Sequence, residues 1–210
     1  MSNITLKYFD GKGRGEAIRL TLAVGNIPFK DDRISFAKLA DLKKTKELPF
    51  DQVPVMIVDG KTVSQSGAIL RYCGKLAGLY PKDDLIAAAR IDEMLCAMED
   101  LVTAAAGVFG VKDPEKLKEA LNALLEVATP RFVKGVDRIR GENNNAKFLC
   151  GNNISIADLF LYAIVRMIRD KEIKNVPKDL LDKSSTLMKS YKETNKHPKI
   201  VEWYKGKAQS

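Results

Sequence analysis

The sequence predicts an α/β domain followed by an all-α domain, because the spacing of its apolar residues changes once along the chain. Up to about residue 78, segments in which apolar and polar residues alternate are interleaved with segments whose apolar residues recur every three to four positions. After Tyr80-Pro81, only the second spacing continues. We therefore expect domains at residues 1–78 and 85–210, with residues 79–84 as the linker.

The first domain begins with two strand–helix pairs. Residues 3–9 alternate apolar and polar side chains, and after a glycine-rich turn residues 16–26 carry one apolar helical face. A short strand at residues 28–34 and a helix at residues 36–47 follow. The order of these elements is βαβα.

A hairpin and a third helix complete this domain. Residues 53–58 and 61–64 are predicted strands around Asp59-Gly60, a dipeptide that tolerates the positive φ angles of a tight turn. The helix at residues 66–77 has an apolar face formed by Ile69, Leu70, Cys73 and Leu76. The full order βαβαββα is typical of a thioredoxin-like domain, in which a four-stranded sheet carries helices on its faces.

The second domain contains only segments with helical spacing. Helices are predicted at residues 85–111, at residues 113–141, from Ser155, from about Pro177 and at residues 199–205. Ser155 and Asp158 match a capping box, which satisfies the first amide groups of a helix. The polar residues 141–147 are predicted to form a loop, and Trp203 is expected to pack the last segment onto this helical domain.

Composition excludes several classes of protein. Hydrophobic residues make up 45% and charged residues 30% of the chain, which is too apolar for a disordered protein. The 3 cysteines are widely spaced and the chain has 1 histidine, so we expect no disulfide scaffold, metal site or histidine-based triad. The net charge is +8, but acids are interspersed among the bases, which argues against nucleic-acid binding.

The sequence also predicts a cytoplasmic protein that does not interact with membranes. No uncharged stretch approaches the about 20 residues of a membrane-spanning helix. The first residues, MSNITLKYFD, lack the basic and apolar regions of a signal peptide.

The glycine-rich turn after the first strand does not match a nucleotide-binding loop. The turn contains Gly11, Gly13 and Gly15. A GxGxxG motif that starts at Gly11 requires glycine at position 16, where this chain has Glu16, and no GK[ST] follows. We therefore interpret the turn as flexible and expect no nucleotide chemistry.

Tyr8 is the first candidate for chemistry, because it ends the first strand. Side chains at such strand ends face ligand crevices in α/β folds. Alternatively, Tyr8 is a core residue whose hydroxyl is satisfied. Arg14, at the start of the next helix, either orients this hydroxyl or is simply exposed.

Two further candidates flank the predicted hairpin. Gln65-Ser66 precedes a helix whose first amide groups can bind a carboxylate, although a serine here is equally typical of a helix cap. A cis bond at Val53-Pro54 would expose the Val53 backbone for pairing with an extended peptide ligand. A trans proline at the start of a strand is the alternative.

Five segments taken together resemble one known family. They are Tyr8-Phe9, GRGEAIR, LPFDQVPVMIVDG, QSGAILRY and SIADL. Their order and spacing resemble the cytosolic glutathione transferases, with most similarity to the sigma class, over nearly the whole chain. The resemblance implies a tyrosine-type enzyme that conjugates glutathione to small hydrophobic electrophiles and also reduces hydroperoxides. The alternative function is a noncatalytic carrier or structural protein with the same fold.

The resemblance assigns roles to individual residues. It implies that the Tyr8 hydroxyl donates a hydrogen bond to the glutathione sulfur, with support from Arg14. The implied glutathione contacts are Gln65 and Ser66 for the γ-glutamyl end, Val53 and Pro54 for the cysteinyl backbone, and Lys43 and Gln52 for the glycyl carboxylate. Glutathione is the implied co-substrate, and no permanently bound cofactor is expected.

The resemblance also implies a homodimer and an electrophile pocket. Asp100 would reach the γ-glutamyl amine in the neighbouring subunit, although a solvated acid on a helix face is the alternative. Phe9, Arg14, Ala104 and Gly107 are the implied borders of the pocket.

Two departures from the family pattern limit these expectations. TAAAGVF stands where prostaglandin D synthases carry a large aromatic residue, so we do not expect that isomerase activity; close helix packing also explains such small residues. Leu39 and the longer segment KKTKELPF replace a region in which many sigma enzymes have a tryptophan. The segment implied to contact the glycyl end of glutathione therefore departs from the family pattern.

Overall fold

The computed structural model of the chain describes residues 2–141 and 146–207. Contacts between residues divide the chain into two units. The first unit comprises Met1–Pro81 with Pro198–Ser210, and the second comprises Lys82–His197. The predicted fold class, a thioredoxin-like α/β part followed by helices, is confirmed.

The first unit has the predicted order of strands and helices. Its elements are β1 (Ile4–Phe9), α1 (Gly13–Val24), β2 (Lys30–Ile34), α2 (Phe36–Leu42), β3 (Val55–Val58), β4 (Lys61–Ser64) and α3 (Ser66–Ala77). The strands form a sheet in the order β2-β1-β3-β4; β1 is parallel to β2 and antiparallel to β3, and β4 is antiparallel to β3. Asp59 and Gly60 have φ angles of 48° and 82°, as the predicted hairpin turn requires.

The core of this unit lies between the sheet and its helices. Ile4, Leu6 and Tyr8 of β1 are buried and alternate with half-buried residues, which confirms the predicted period of two. α3 buries most of its predicted apolar face, but Leu76 in its last turn is 50% exposed. α2 ends at Leu42 rather than at residue 47, because the chain turns there to bury Leu48 beside Leu42.

Within the described residues, the regular secondary structure of the second unit is helical. Its α-helices are α4 (Leu85–Ala106), α5 (Pro114–Asn122), α6 (Thr129–Gly141), α7 (Ile156–Arg169) and α8 (Ser185–Asn195). A π-helical segment, Ala123–Ala128, connects α5 to α6, so the predicted helix at residues 113–141 is present with an irregular centre. No helix within residues 2–141 and 146–207 is long and apolar enough to cross a membrane.

Several helix ends differ from the prediction. α4 ends at Ala106 rather than at residue 111, because Gly107 caps it and Gly110 adopts a left-handed φ of 74°. α8 begins at Ser185 rather than near Pro177. The Ser184 side chain caps it by accepting a hydrogen bond from the Leu187 amide. The loop predicted at residues 141–147 lies largely outside the described residues.

The last helix, α9 (Pro198–Lys207), packs against α1 in the first unit. Trp203 stacks on Phe29 with ring centres 6.2 Å apart and donates a hydrogen bond to Glu16. The expectation that Trp203 packs onto the helical domain is therefore wrong. The buried Glu16 carboxylate gives the indole N–H a partner that the helical spacing of α9 does not reveal.

Candidate functional site

The register of the sheet brings three predicted site segments to one edge. Lys7 of β1 lies opposite Val55 of β3, and Val55 lies opposite Ser64 of β4. Tyr8 follows Lys7, Val53-Pro54 precedes Val55 and Gln65-Ser66 follows Ser64, so the three segments lie at the same end of the strands. This edge is therefore where the first unit can hold an extended peptide.

Tyr8 has a defined hydrogen-bond partner at this edge. Its side chain is 8% exposed, and its hydroxyl accepts a hydrogen bond from the backbone N–H of Arg14 at 3.0 Å. Arg14 lies in the first turn of α1, where amide groups lack intrahelical acceptors and the helix dipole is positive. The Tyr8 hydroxyl therefore lies at a position that favours negative charge.

Gly13 and Gly15 make room for the Tyr8 ring. A Cβ at Gly13 would lie 2.4 Å from the Tyr8 hydroxyl oxygen, and a Cβ at Gly15 would lie 2.3 Å from Cδ1 of the ring. Gly13 also has a positive φ of 38°, which disfavours other residues. Our interpretation of these glycines as a flexible turn missed this role, because only the fold brings the ring over the helix start.

Arg19 is a buried residue of the site region that sequence reasoning missed. Its guanidinium donates hydrogen bonds to the backbone oxygens of Phe9 at 2.9 Å and Gly11 at 2.7 Å, and to the Asp31 carboxylate at 2.9 Å. It also lies 5.7 Å from the centre of the Tyr8 ring. The available signal was a charged residue among the apolar positions of α1.

The start of α3 presents unusual backbone geometry. Gln65 is the N-cap residue, with φ 71° and ψ 118°, and Ser66 is the first residue of the helix. The possibility that Ser66 is the helix cap is therefore wrong. The Gln65 side chain does not cap the helix either, and the strained backbone is of the kind that is stored at functional sites.

The segment before β3 carries the predicted contacts to the rest of glutathione. The Val53-Pro54 bond is cis, and Val53 packs against a cluster formed by Ile34, Leu42, Leu48 and Val55. Lys43 and Gln52 are exposed. An ion pair of 3.1 Å between Lys7 and Glu47 links this segment to β1.

Phe9 packs on the same apolar cluster, and Phe36 extends the surface. The Phe9 ring lies 4.4 Å from the Phe36 ring and 5.4 Å from the Tyr8 ring, measured between ring centres. Phe36 itself is 67% exposed. An exposed apolar surface therefore begins next to Tyr8.

The remaining predicted site residues lie on α4 or directly after it, in the second unit. Asp100 is exposed and lies 3.8 Å from Arg131, a weak ion pair on the helix surface. Ala104 is half-buried and Gly107 is exposed, whereas Ala105 is buried in the helical core. Ala105 therefore belongs to helix packing and not to a pocket wall.

The cysteines differ in exposure. Burial raises the pKa of both Cys73 and Cys150 to about 12, so neither thiol ionises near neutral pH. Cys96, by contrast, is exposed. No cluster of three or more potential metal ligands occurs in residues 2–141 and 146–207.

Comparison with known proteins identifies the family. The glutathione S-transferase N-terminal domain model matches residues 4–75, and the C-terminal domain model matches residues 99–207. Glutathione S-transferase A4 of Mus musculus is 32% identical over 79% of this chain and 73% of its own length. Hematopoietic prostaglandin D synthase of Homo sapiens is 28% identical over 100% of this chain and 99% of its own.

Solved structures agree with the sequence comparisons. The structure of prostaglandin synthase D of Nilaparvata lugens has a TM-score of 0.83 and 30% identity, covering 97% of each chain. Rat hematopoietic prostaglandin D synthase, solved with a quinoline, has a TM-score of 0.80 and 27% identity over 96% of each chain. The chain therefore belongs to the glutathione S-transferase family and is a glutathione S-transferase.

Proposed function

We propose that Tyr8 activates the thiol of glutathione by donating a hydrogen bond from its hydroxyl to the sulfur. The observation that supports this most directly is the hydrogen bond of 3.0 Å from the Arg14 amide to the Tyr8 hydroxyl oxygen. A hydroxyl oxygen that accepts a bond from a helix N-terminus can also donate its own proton to a second partner. The sulfur of an extended peptide at the sheet edge is such a partner.

The strength of this bond accounts for the chemistry. A thiol with a pKa of about 8.5 is only a few per cent ionised at neutral pH, and the thiolate is the nucleophile. A hydrogen bond to a charged acceptor is worth about 1.5–3 kcal/mol, which lowers the thiol pKa by about one to two units. The thiolate then attacks an electrophilic carbon and displaces its leaving group, which is chloride for a chloronitrobenzene. With a hydroperoxide, the thiolate attacks the terminal oxygen, the O–O bond breaks to release an alcohol, and a second glutathione converts the resulting sulfenic acid to glutathione disulfide and water.

Glutathione is the co-substrate in this proposal, and no permanently bound cofactor takes part. The γ-glutamyl carboxylate binds at Gln65 and Ser66, where the positive end of the α3 dipole favours an anion. The cysteinyl backbone pairs with Val53 beside Pro54. Lys43 and Gln52, both exposed near this edge, bind the glycyl carboxylate.

The electrophile is a small hydrophobic molecule. Phe9 and Arg14 are the proposed electrophile contacts of the first unit, and Ala104 and Gly107 are those of the second unit. The apolar surface formed by Phe9 and the exposed Phe36 supports a hydrophobic substrate. Detoxification by conjugation in the cytoplasm fits this chemistry, and the small residues of TAAAGVF argue against the isomerase activity named for the prostaglandin D synthases. Similarity to the sigma class remains part of the proposal.

The enzyme acts as a homodimer in which Asp100 contacts the partner's γ-glutamyl amine. Its carboxylate is 71% exposed, which leaves it accessible to a partner. Leu85 and Ile86 at the start of α4 are 79% and 73% exposed, and exposed apolar residues of this kind mark interaction surfaces. Sedimentation equilibrium tests this assembly, and a monomer at assay concentration would rule out the role of Asp100.

Tyr8→Phe tests the central step. We expect kcat with glutathione and a chloronitrobenzene to fall about ten- to hundredfold, because the lost bond is worth about 1.5–3 kcal/mol. Glutathione affinity is expected to stay near the parent value. An unchanged pKa of the bound thiol, read from thiolate absorbance, would remove Tyr8 from this role. A protein that binds glutathione but shows no turnover would favour the noncatalytic carrier, which the family comparisons do not support.

A further inference from the structure

Two side chains of the C-terminal helix α9 join a hydrogen-bond network that leads to residues 9–11, which directly follow Tyr8. The indole N–H of Trp203 and the hydroxyl of Tyr204 both donate to Oε1 of Glu16, at 3.0 Å and 2.8 Å. The other oxygen of this carboxylate, Oε2, accepts a hydrogen bond from Arg19 at 3.3 Å. Both charged side chains are at most 1% exposed, so water does not replace these bonds.

Arg19 passes this connection to the loop between β1 and α1. Its guanidinium holds the backbone oxygens of Phe9 and Gly11, the residues on either side of Asp10. The Asp10 carboxylate accepts from Arg33, and Arg33 also pairs with Asp31 at 2.8 Å.

The charges therefore alternate from the loop to α9. In order they are Asp10, Arg33, Asp31, Arg19 and Glu16. The network holds the three residues that follow Tyr8: Phe9 and Gly11 by their backbone oxygens, and Asp10 by its carboxylate. A shift of Glu16 thus moves the guanidinium that sets the loop geometry.

We propose that α9 positions Tyr8 for catalysis: Trp203 and Tyr204 fix Glu16, Glu16 orients Arg19, and Arg19 holds the backbone that directly follows Tyr8 and lies over the Tyr8 ring. These four are positioning residues, since none of them contacts the reacting atoms. The inference rests on the proposed role of Tyr8 in activating glutathione.

The test combines Trp203→Phe with Tyr204→Phe, which removes the two bonds from α9 to Oε1 of Glu16 and keeps aromatic side chains at both positions. We expect the pKa of enzyme-bound glutathione, measured by thiolate absorbance against pH, to rise by about half a unit to one unit. The corresponding loss of thiolate lowers kcat about three- to tenfold at neutral pH. Tyr204→Phe alone removes a single hydroxyl, and we expect a smaller shift of the same sign even if the double variant folds poorly.

Tyr162→Phe is the matched control. It removes a phenol donor of similar length, the 2.7 Å bond from Tyr162 to Asn195 in the second unit. We expect a similar loss of thermal stability without a change in the thiol pKa. If the α9 variants lower stability but leave the thiol pKa at the parent value, α9 has only a structural role and the inference is overturned.

Tyr8→Phe separates this inference from the proposed function. If Tyr8→Phe raises the thiol pKa and the α9 substitutions add nothing in that background, the positioning role acts through Tyr8. If Tyr8→Phe raises the thiol pKa and the α9 substitutions raise it further by their full amount, α9 acts elsewhere and the inference fails. If Tyr8→Phe leaves the thiol pKa unchanged, the proposed function itself fails.

Discussion

Gly15→Ala is the substitution that most directly tests the packing of Tyr8 against α1. The added Cβ would lie 2.3 Å from Cδ1 and 2.6 Å from Cγ of the Tyr8 ring. Carbon atoms in ordinary contact lie about 3.5–4.0 Å apart, so the ring has to retreat by more than about 1 Å. This movement breaks the bond between the Arg14 amide and the Tyr8 hydroxyl, and displacement of that size costs up to about a hundredfold in rate.

The effect on stability is expected to be smaller than the effect on rate. Alanine favours a helix over glycine by about 1 kcal/mol, whereas overpacking costs about 1–3 kcal/mol. We therefore expect kcat to fall about ten- to hundredfold while the free energy of unfolding drops by at most about 2 kcal/mol. Steady-state turnover of a chloronitrobenzene and calorimetry measure the two quantities.

Gly135→Ala provides the matched control within α6. A Cβ at Gly135 meets nothing within 4 Å, so this variant gains helix propensity without a clash. We expect Tm to rise by about 2–4 °C and kcat to stay unchanged. If Gly15→Ala behaves in the same way, the glycine is not needed for Tyr8 and the packing argument is refuted.

Three further predictions concern stability and reactivity. Asp158→Ala removes the carboxylate that accepts hydrogen bonds from the Leu149 and Ser155 amides and from the Ser155 and Ser190 hydroxyls. We expect the free energy of unfolding, measured by urea denaturation, to fall by about 3–6 kcal/mol. An unfolding midpoint equal to that of the parent would contradict this. Burial lowers the pKa of His197, so the folded state disfavours its protonated form, and stability falls as pH drops below about 6.5. His197→Gln should reduce that dependence, and parallel curves for parent and variant would exclude His197 as a cause. A thiol reagent at neutral pH should modify the exposed Cys96 first and leave Cys73 intact, as peptide mapping would reveal; early labelling of Cys73 would contradict its burial.

Local patterns in the sequence predicted most of the fold. The alternation in β1, the Asp59-Gly60 turn and the capping box of Ser155 and Asp158 are all present as expected. These features depend on residues within a few positions of each other, so the sequence near each of them is sufficient. The boundaries of α2 and α8 were less predictable, because the chain turns there to bury particular residues such as Leu48.

The candidate site was predictable only in part. Tyr8 and Gln65-Ser66 were identified from their places at the end of a strand and the start of a helix. The positive φ of Gln65, the space that Gly13 and Gly15 leave, and the burial of Arg19 were not, since each depends on the packing of neighbouring elements.

The sequence by itself determined which segments form strands and which form helices, because periodicity is a local property of the chain. Only the tertiary structure decided that Glu16 and Trp203, 187 positions apart, share a hydrogen bond. A buried charge is stable only beside its partners, and here those partners come from distant segments that folding brings together. The same dependence on long-range contacts explains why the surroundings of Tyr8 became visible only in the folded chain.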